Sequence, residues 1–572
     1  MEKLKDFFEL LPPGAVAMKG VLGDALDKSI EARIKKVDYK HLVDPFRKQM
    51  DNDGFWRCEF WGKIVRSTIR SWRAKPNDKK LRKIIDDTVK DILSTQQPNG
   101  CISSYSPEKQ ATGWDVWGRK YVLAGLIRYC TVVENRPEIV KAASALLKHL
   151  IKQVGPGGKS MPQSGWHDGM APSSILGQVV QMYWLSGDKE FLDYANWIVY
   201  DGGCKVFEQA FEGVRSPKDI CNGKAYEMTS CIEGLVELYR ATGDRKYLDT
   251  ALAYYRKVRD EEIFVTGVGG GLDCWGEIWF GGTKNQARTD LGGRGETCVT
   301  TTYVRFCMSL LRATGDATIV DELERSLYNG TLSEMMPDGS WWMHLNPTPM
   351  SAPSHKNPCQ DQIGLCTCGQ SLFKEDCCLA QGPEALATAP MFAVMKESGK
   401  LVVNLYEPCE AKLDDAVSIS ITGNYPDDED AEVTVHCPKG SIFAIKLRIP
   451  GWCGGAKVTV AGNDVPAKAG TYCEILRTWN DGDKITLHFP MPLVVMQMSD
   501  GLAALRRGPI VLVRDSRLGD VNQPFGNPTK LALQRPRKGF HRIYALDDGS
   551  LVTDLASAGN TFDDSSSLRI FC

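Results

Sequence analysis

The chain has 572 residues, a formal net charge of −2, and 43% hydrophobic and 24% charged residues, ordinary proportions for a globular protein long enough for two or three cores. That balance gives no electrostatic reason to bind nucleic acid or an anionic membrane, and no apolar run approaches the ~20 residues that span a bilayer. The start, Met1-Glu2-Lys3-Leu4-Lys5-Asp6, lacks the apolar stretch of a signal peptide, and nineteen scattered cysteines read mostly as buried free thiols; both favour the cytoplasm, or the periplasm if a signal has been removed.

Helical hairpins are expected up to about residue 390. One ending recurs: Trp184-Leu185-Ser186-Gly187-Asp188, then Arg240-Ala241-Thr242-Gly243-Asp244, then Arg312-Ala313-Thr314-Gly315-Asp316. Glycine closes one helix and aspartate caps the next. The interval is that of a repeat built from helix pairs. Long Gly/Trp-rich insertions such as Thr266 to Gly295 favour closure into a ring of about six pairs, an (α/α)6 barrel with a pocket at one mouth, over an open solenoid.

After Pro390 short apolar segments divided by Gly, Asn, Asp and Pro predict strands: 401–406, 416–421, 443–450, 484–489 and 507–513. The expected architecture is a multidomain α and β chain. An N-terminal (α/α)6 barrel over 1–390 precedes a C-terminal antiparallel β-sandwich region over 391–572; two small sandwiches dividing near 500 are the alternative.

Two clusters carry chemistry. Glu296-Thr297-Cys298 and Cys377-Cys378 together supply three thiolates and a carboxylate, a full tetrahedral set for Zn2+. Cys366-Thr367-Cys368 offers an alternative ligand. Glu277 lies a short way upstream. A metal-held thiolate beside a carboxylic acid can attack as a nucleophile with acid/base assistance. The competing reading is a closed, purely structural zinc site.

These motifs resemble, in order, those of the retaining β-L-arabinofuranosidases, a family of glycoside hydrolases. Gln96-Gln97-Pro98-Asn99-Gly100 is similar to the family's early barrel turn. Val265-Thr266-Gly267, Gly276-Glu277 and Gly295-Glu296-Thr297-Cys298 resemble its central block, and Cys377-Cys378 its paired cysteines. Leu447-Arg448-Ile449-Pro450-Gly451-Trp452 and Arg507-Gly508-Pro509 resemble the sandwich signatures. The resemblance implies zinc bound by Glu296, Cys298, Cys377 and Cys378, with Cys377 as nucleophile and Glu277 as general acid/base. It also implies an exo-acting enzyme on a small glycoside or oligosaccharide.

Characterised members line the sugar pocket with histidines on inner helices, and the matching positions here hold Gly118, Pro172 and Lys224. Trp117, Arg119, His167, Asp168, Lys224, Tyr226, Glu227 and His344 are therefore the candidate sugar contacts, with Lys120 beside Arg119. For Arg119 and Lys120 a solvated surface position is the competing expectation. Arg119, Lys120 and Lys224 raise a second substrate reading, a carboxylated sugar. A sugar epimerase lacks the paired histidines it needs, and a non-catalytic carbohydrate-binding protein has no use for Glu277. A homodimer is compatible with the sequence.

Overall fold

The computed structural model describes residues 4–272, 276–288, 291, 293–346, 375–498, 501–559 and 566–572. Cys366 and Cys368 lie outside the described residues.

Each recurring Gly-Asp ending forms as its chemistry dictates. Gly187, Gly243 and Gly315 close their helices in the left-handed region at φ 73°, 76° and 68°. Asp188, Asp244 and Asp316 then cap the following helices by accepting from the amides of Glu190, Lys246 and Thr318 at 3.1, 2.9 and 2.9 Å. Six helices follow one another around a closed circuit: Phe60–Ala74, Asp115–Arg128, Leu176–Ser186, Ala225–Thr242, Thr297–Thr314 and Cys377–Leu386. Each packs on the next and the last returns to the first. Their partners, such as Pro137–Gln153, lie outside them.

Burial separates the two layers. Pro137–Gln153 buries Ile139, Ala143, Leu146, Leu147 and Leu150, a single stripe at helical spacing. Asp115–Arg128 is buried on every side from Asp115 to Ile127, and Phe60–Ala74 from Phe60 to Trp72. Gly62 lets these two inner helices approach, because a Cβ there would sit 2.1 Å from the Tyr121 carbonyl oxygen.

The C-terminal part is β-rich. A five-stranded sheet runs Glu9–Leu10, Val394–Glu397, Lys400–Val403, Ser441–Ile449, Thr471–Trp479. A second contains Lys457–Val460, Lys484–His488, Asp430–His436, Ser418–Gly423 and Cys409–Lys412, and ends on Val16–Met18. Asp430–His436 alternates as a one-faced strand should, with Ala431, Val433 and Val435 inward. A third sheet, built from Leu493–Gln497 onward, centres on Ile510–Asp515.

Three sequence expectations change. Residues 9–18, grouped with the helices, contribute strands to the β region. Strand pairing ends at Val403, leaving Leu405 and Tyr406 buried outside the strand. Segment 507–513 is a hairpin: Arg507 ends Ala503–Arg507, and Gly508-Pro509 reverses the chain into Ile510–Asp515.

The sandwich signatures prove to be latches onto the helices. Arg448, wholly buried, pairs with Asp321 at 2.5 Å and Glu324 at 2.6 Å, and the Gly451 amide donates to Asp321 at 3.0 Å. Asn329 donates to the Pro509 carbonyl at 2.9 Å and accepts from the Val511 amide at 2.8 Å. No helix among the described residues is long and apolar enough to cross a membrane.

Candidate active site

Most of the inner helices begin at one mouth of the ring, and the chemistry-bearing residues sit in their first turns. Cys298 is the second residue of Thr297–Thr314, Cys377 and Cys378 open Cys377–Leu386, and Tyr226 and Glu227 lie in the first turn of Ala225–Thr242. Helix N-termini favour negative charge, so thiolates and carboxylates are at home there. The mouth encloses a cavity of about 250 Å³.

Glu296 caps Thr297–Thr314 by accepting from the Val299 amide at 3.2 Å. Its other oxygen lies 3.3 Å from Cys378 Sγ, which in turn lies 3.4 Å from Cys298 Sγ and 3.7 Å from Cys377 Sγ. The four ligand atoms fall within 4.8 Å of one another, and His344, Asp376, Cys377 and Cys378 form an overlapping set. His344 arrives because Leu345–Asn346 pairs with Arg294–Glu296. Asp376 fixes the other helix by accepting from the Leu379 amide at 2.6 Å.

So many acidic groups cannot ionise together. Burial, then Glu277 and Cys377, push the Glu296 carboxyl well up. The bond to Cys298 raises Cys377, and burial followed by Cys298 raises Cys378. Cys298 alone goes down: against burial, its neighbouring thiols and the Lys63 ammonium favour its thiolate. Such a cluster calls for a cation, and these residues could hold a metal ion. Cys377 keeps 9% exposure, Cys298 and Cys378 none. Of the paired cysteines, only Cys377 lines the cavity.

Glu277 lines the same cavity and is ion-paired to Lys224. Its carbonyl accepts from the Ala225 amide at 2.7 Å, tying the loop to the start of Ala225–Thr242. Trp117 and Tyr226 form an aromatic wall, their ring centroids 5.2 Å apart. Trp117 donates to Glu59, and the Tyr226 hydroxyl to Gln381 at 2.7 Å. Glu227 and His344 complete that side. His167 lines the cavity from a loop at φ 59°, an unusual backbone for a side chain, with its ring 5.5 Å from Trp114.

Two candidates lie elsewhere. Arg119 is buried and turned away, paired with Asp115 at 2.7 Å and bonded to Gln153 at 2.8 Å. Asp168 is exposed outside the cavity lining. Lys120 is buried too, donating to Ser174 at 3.0 Å with its ammonium 3.9 Å from the Trp117 ring centroid. Neither base sits on a solvated surface. At Gly118 a Cβ would meet Cys58 Cβ at 2.5 Å, so no imidazole fits there.

The sequence reading missed Glu59 and Lys63, both lining the cavity. Lys63 Nζ lies 2.9 Å from Glu59, 3.7 Å from Cys298 Sγ and 4.7 Å from the Tyr226 ring centroid. Their i, i+4 spacing at the head of Phe60–Ala74 was the available signal.

The profile of the β-L-arabinofuranosidase GH127 catalytic domain matches residues 23–390, and that of the GH127 middle domain matches 400–491. A non-reducing end β-L-arabinofuranosidase of Bifidobacterium longum subsp. longum is 24% identical over 489 residues, 76% of this chain and 72% of its own. Among solved structures, a GH127 β-L-arabinofuranosidase from Geobacillus stearothermophilus T6 superposes with a TM-score of 0.75 at 20% identity, over 97% of this chain and 99% of that one. A GH127 β-arabinofuranosidase superposes with a TM-score of 0.77 at 19% identity, over 99% and 98%.

Proposed function

Because the chain belongs to the β-L-arabinofuranosidase family of glycoside hydrolases, GH127, we propose that it is a retaining exo-glycosidase releasing β-L-arabinofuranose. Cys377 is the nucleophile on a zinc ion held with Glu296, Cys298 and Cys378, and Glu277 is the acid/base. We read the helical part as an (α/α)6 barrel and the β-rich part as sandwiches, with the catalytic domain ending near residue 390.

The donor set fits zinc. The sulfur–sulfur separations of 3.4 and 3.7 Å approach the ~3.8 Å edge of a tetrahedron with ~2.3 Å zinc–sulfur bonds, and the 3.3 Å sulfur–oxygen separation the ~3.6 Å edge expected with a ~2.1 Å zinc–oxygen bond. With zinc bound there, the Cys377 thiol would stay ionised at neutral pH. Three thiolates and a carboxylate over-neutralise such an ion, and Lys63 and the helix N-termini offset the excess.

In the first step Cys377 Sγ bonds to the anomeric carbon as the glycosidic C–O bond breaks, and Glu277 gives its proton to the leaving oxygen. In the second, Glu277 takes a proton from water, whose oxygen attacks the same carbon. The C–S bond breaks and its electron pair returns to sulfur, so configuration is retained. Lys224 holds the Glu277 carboxylate between the two steps. Trp117 and Tyr226 pack against the sugar, and Glu227, His167 and His344 are placed to meet its hydroxyls.

The observation that carries the reading is that Cys377, a member of the metal cluster, shares the cavity wall with Glu277. The carboxylated-sugar alternative rests on cations that do not offer themselves to the cavity: Arg119 is held by Asp115 and Lys224 by Glu277, and Lys120 lies outside the cavity lining, against the Trp117 ring. Proton NMR of an aryl β-L-arabinofuranoside digest tests the proposal. The β anomer of arabinose appears first; an inverted first product, or no hydrolysis of this glycoside by a zinc-loaded sample, refutes it.

A further inference from the structure

The inner helices run on past the active-site cavity and carry a second set of charges into the ring. One turn beyond Lys63 comes Arg66, one turn beyond Trp117 comes Lys120, and two turns beyond Cys298 comes Arg305. With Arg128 they line a separate cavity of about 40 Å³.

Apart from Glu227, whose charge acts on Lys120 from the side of the sugar pocket, the carboxylates nearby are already committed. Glu233 takes Arg305 at 2.7 Å, Glu237 takes Arg240 at 2.8 Å, and Glu384 takes Arg66 and, at 3.2 Å, Arg70. Positive charge is left over. Among the described residues the Lys120 ammonium hydrogen-bonds to the Ser174 hydroxyl and faces the Trp117, Tyr121 and Tyr226 rings, with no ion pair. Arg128 makes no ion pair or side-chain hydrogen bond among the described residues, and Arg305 Nη1 is buried without a partner. The π-helical turn Tyr129–Val133 continues the helix past Arg128, so Arg128, Lys120 and Arg305 all sit short of a helix C-terminus and gain little from its dipole. Burial, then repulsion from neighbouring arginines, pushes Arg128 down to about 9 and Lys120 well below its usual range. Gln178 Oε1 is also buried and unpartnered; turning that amide presents its NH₂ to the same space.

We propose that this inner cavity is a binding site for one small monovalent anion of the halide class, held by Lys120, Arg128 and Arg305. Water fills such a space but does not neutralise it, and unpaired buried ions are costly. At about 10–15 Å³ per water-sized position, the volume takes a halide and excludes a sugar phosphate. The site is distinct from the catalytic cavity and does not depend on the proposed mechanism. Its Lys120 ammonium lies against Trp117, so the anion braces the wall of the sugar pocket from behind.

Crystals of the full-length protein containing bromide, examined at the bromine absorption edge, test this directly. The expected result is an anomalous peak between Lys120, Arg128 and Arg305; a cavity holding water only overturns the proposal. Independently, the unfolding temperature at constant ionic strength should rise and saturate as chloride replaces gluconate. Lys120→Met should abolish the saturating rise, and Arg128→Gln serves the same purpose if that variant does not fold. An equal response to both salts in the wild type overturns the proposal as well.

Discussion

Replacing Lys63 with methionine keeps the packing of a buried stem but removes an ammonium that touches the thiol cluster. Lys63 Nζ is 3.7 Å from Cys298 Sγ, which at an effective dielectric constant of about 20 corresponds to about 4.5 kcal/mol of attraction for the thiolate. The variant also strips Glu59 of its partner at 2.9 Å. An unpaired buried carboxylate takes up a proton, which removes a negative charge from the same neighbourhood and recovers about half of the loss. The net penalty on thiolate-dependent metal binding is then about 2 kcal/mol, roughly a thirtyfold weaker zinc affinity. Competition against a chromophoric chelator at fixed pH measures it. In the Glu59→Gln/Lys63→Met double variant the Glu59 proton uptake no longer differs between states, so the fold should recover while zinc affinity stays low. Zinc affinity within threefold of wild type in the single variant would refute the electrostatic role of Lys63.

Cys298→Ser and Cys378→Ser should each reduce zinc from about one ion per chain to near zero by elemental analysis and lower the unfolding temperature, since metal binding contributes to folding. Glu277→Gln should slow hydrolysis of alkyl glycosides by roughly 10²–10⁴-fold while sparing zinc content and the first step on activated aryl glycosides, read by burst kinetics. Burial pushes the Glu407 carboxyl up to about 8, against about 4.3 in an unfolded chain. Its contribution to stability is therefore complete below pH ~4.3 and is lost as pH rises toward 8. Glu407→Gln keeps an acceptor for the Leu22 amide, 3.1 Å away, so urea midpoints between pH 5 and 8 should fall less steeply than in wild type.

Local signals carried most of the fold. The Gly187-Asp188, Gly243-Asp244 and Gly315-Asp316 turns form as read because a left-handed glycine and an aspartate cap are short-range chemistry. That Glu296, Cys298, Cys377 and Cys378 come together as a cluster able to hold a metal ion was legible because thiols and a carboxyl at two places have few other uses. Glu59 and Lys63 were not, since a helix buried on every side leaves no periodicity to show which charges face inward. Arg119 and Lys120, read as a sugar contact and its neighbour with a solvated surface as the competing expectation, are both buried, and a helix buried on every side gives no periodicity to show it. Strands Glu9–Leu10 and Val16–Met18 are too short to announce themselves and exist through partners some 390 residues away. The hairpin at Gly508-Pro509 was missed although Gly-Pro marks a turn, because the strand was read straight through it from Arg507 to Val513. His344 reached the cluster only through the pairing of Leu345–Asn346 with Arg294–Glu296.

Trapping the nucleophile tests the central claim most directly. A cyclophellitol-type epoxide of β-L-arabinofuranose configuration, incubated with zinc-loaded enzyme, should leave a single adduct on the peptide containing Asp376-Cys377-Cys378, located by fragmentation to Cys377. L-Arabinose should slow its formation, and activity should fall in step with labelling. Complete inactivation with the adduct on Glu277 or another residue and Cys377 unmodified, or a Cys377→Ala variant that still turns over the natural glycoside, would contradict the cysteine mechanism and return the cluster to a structural role.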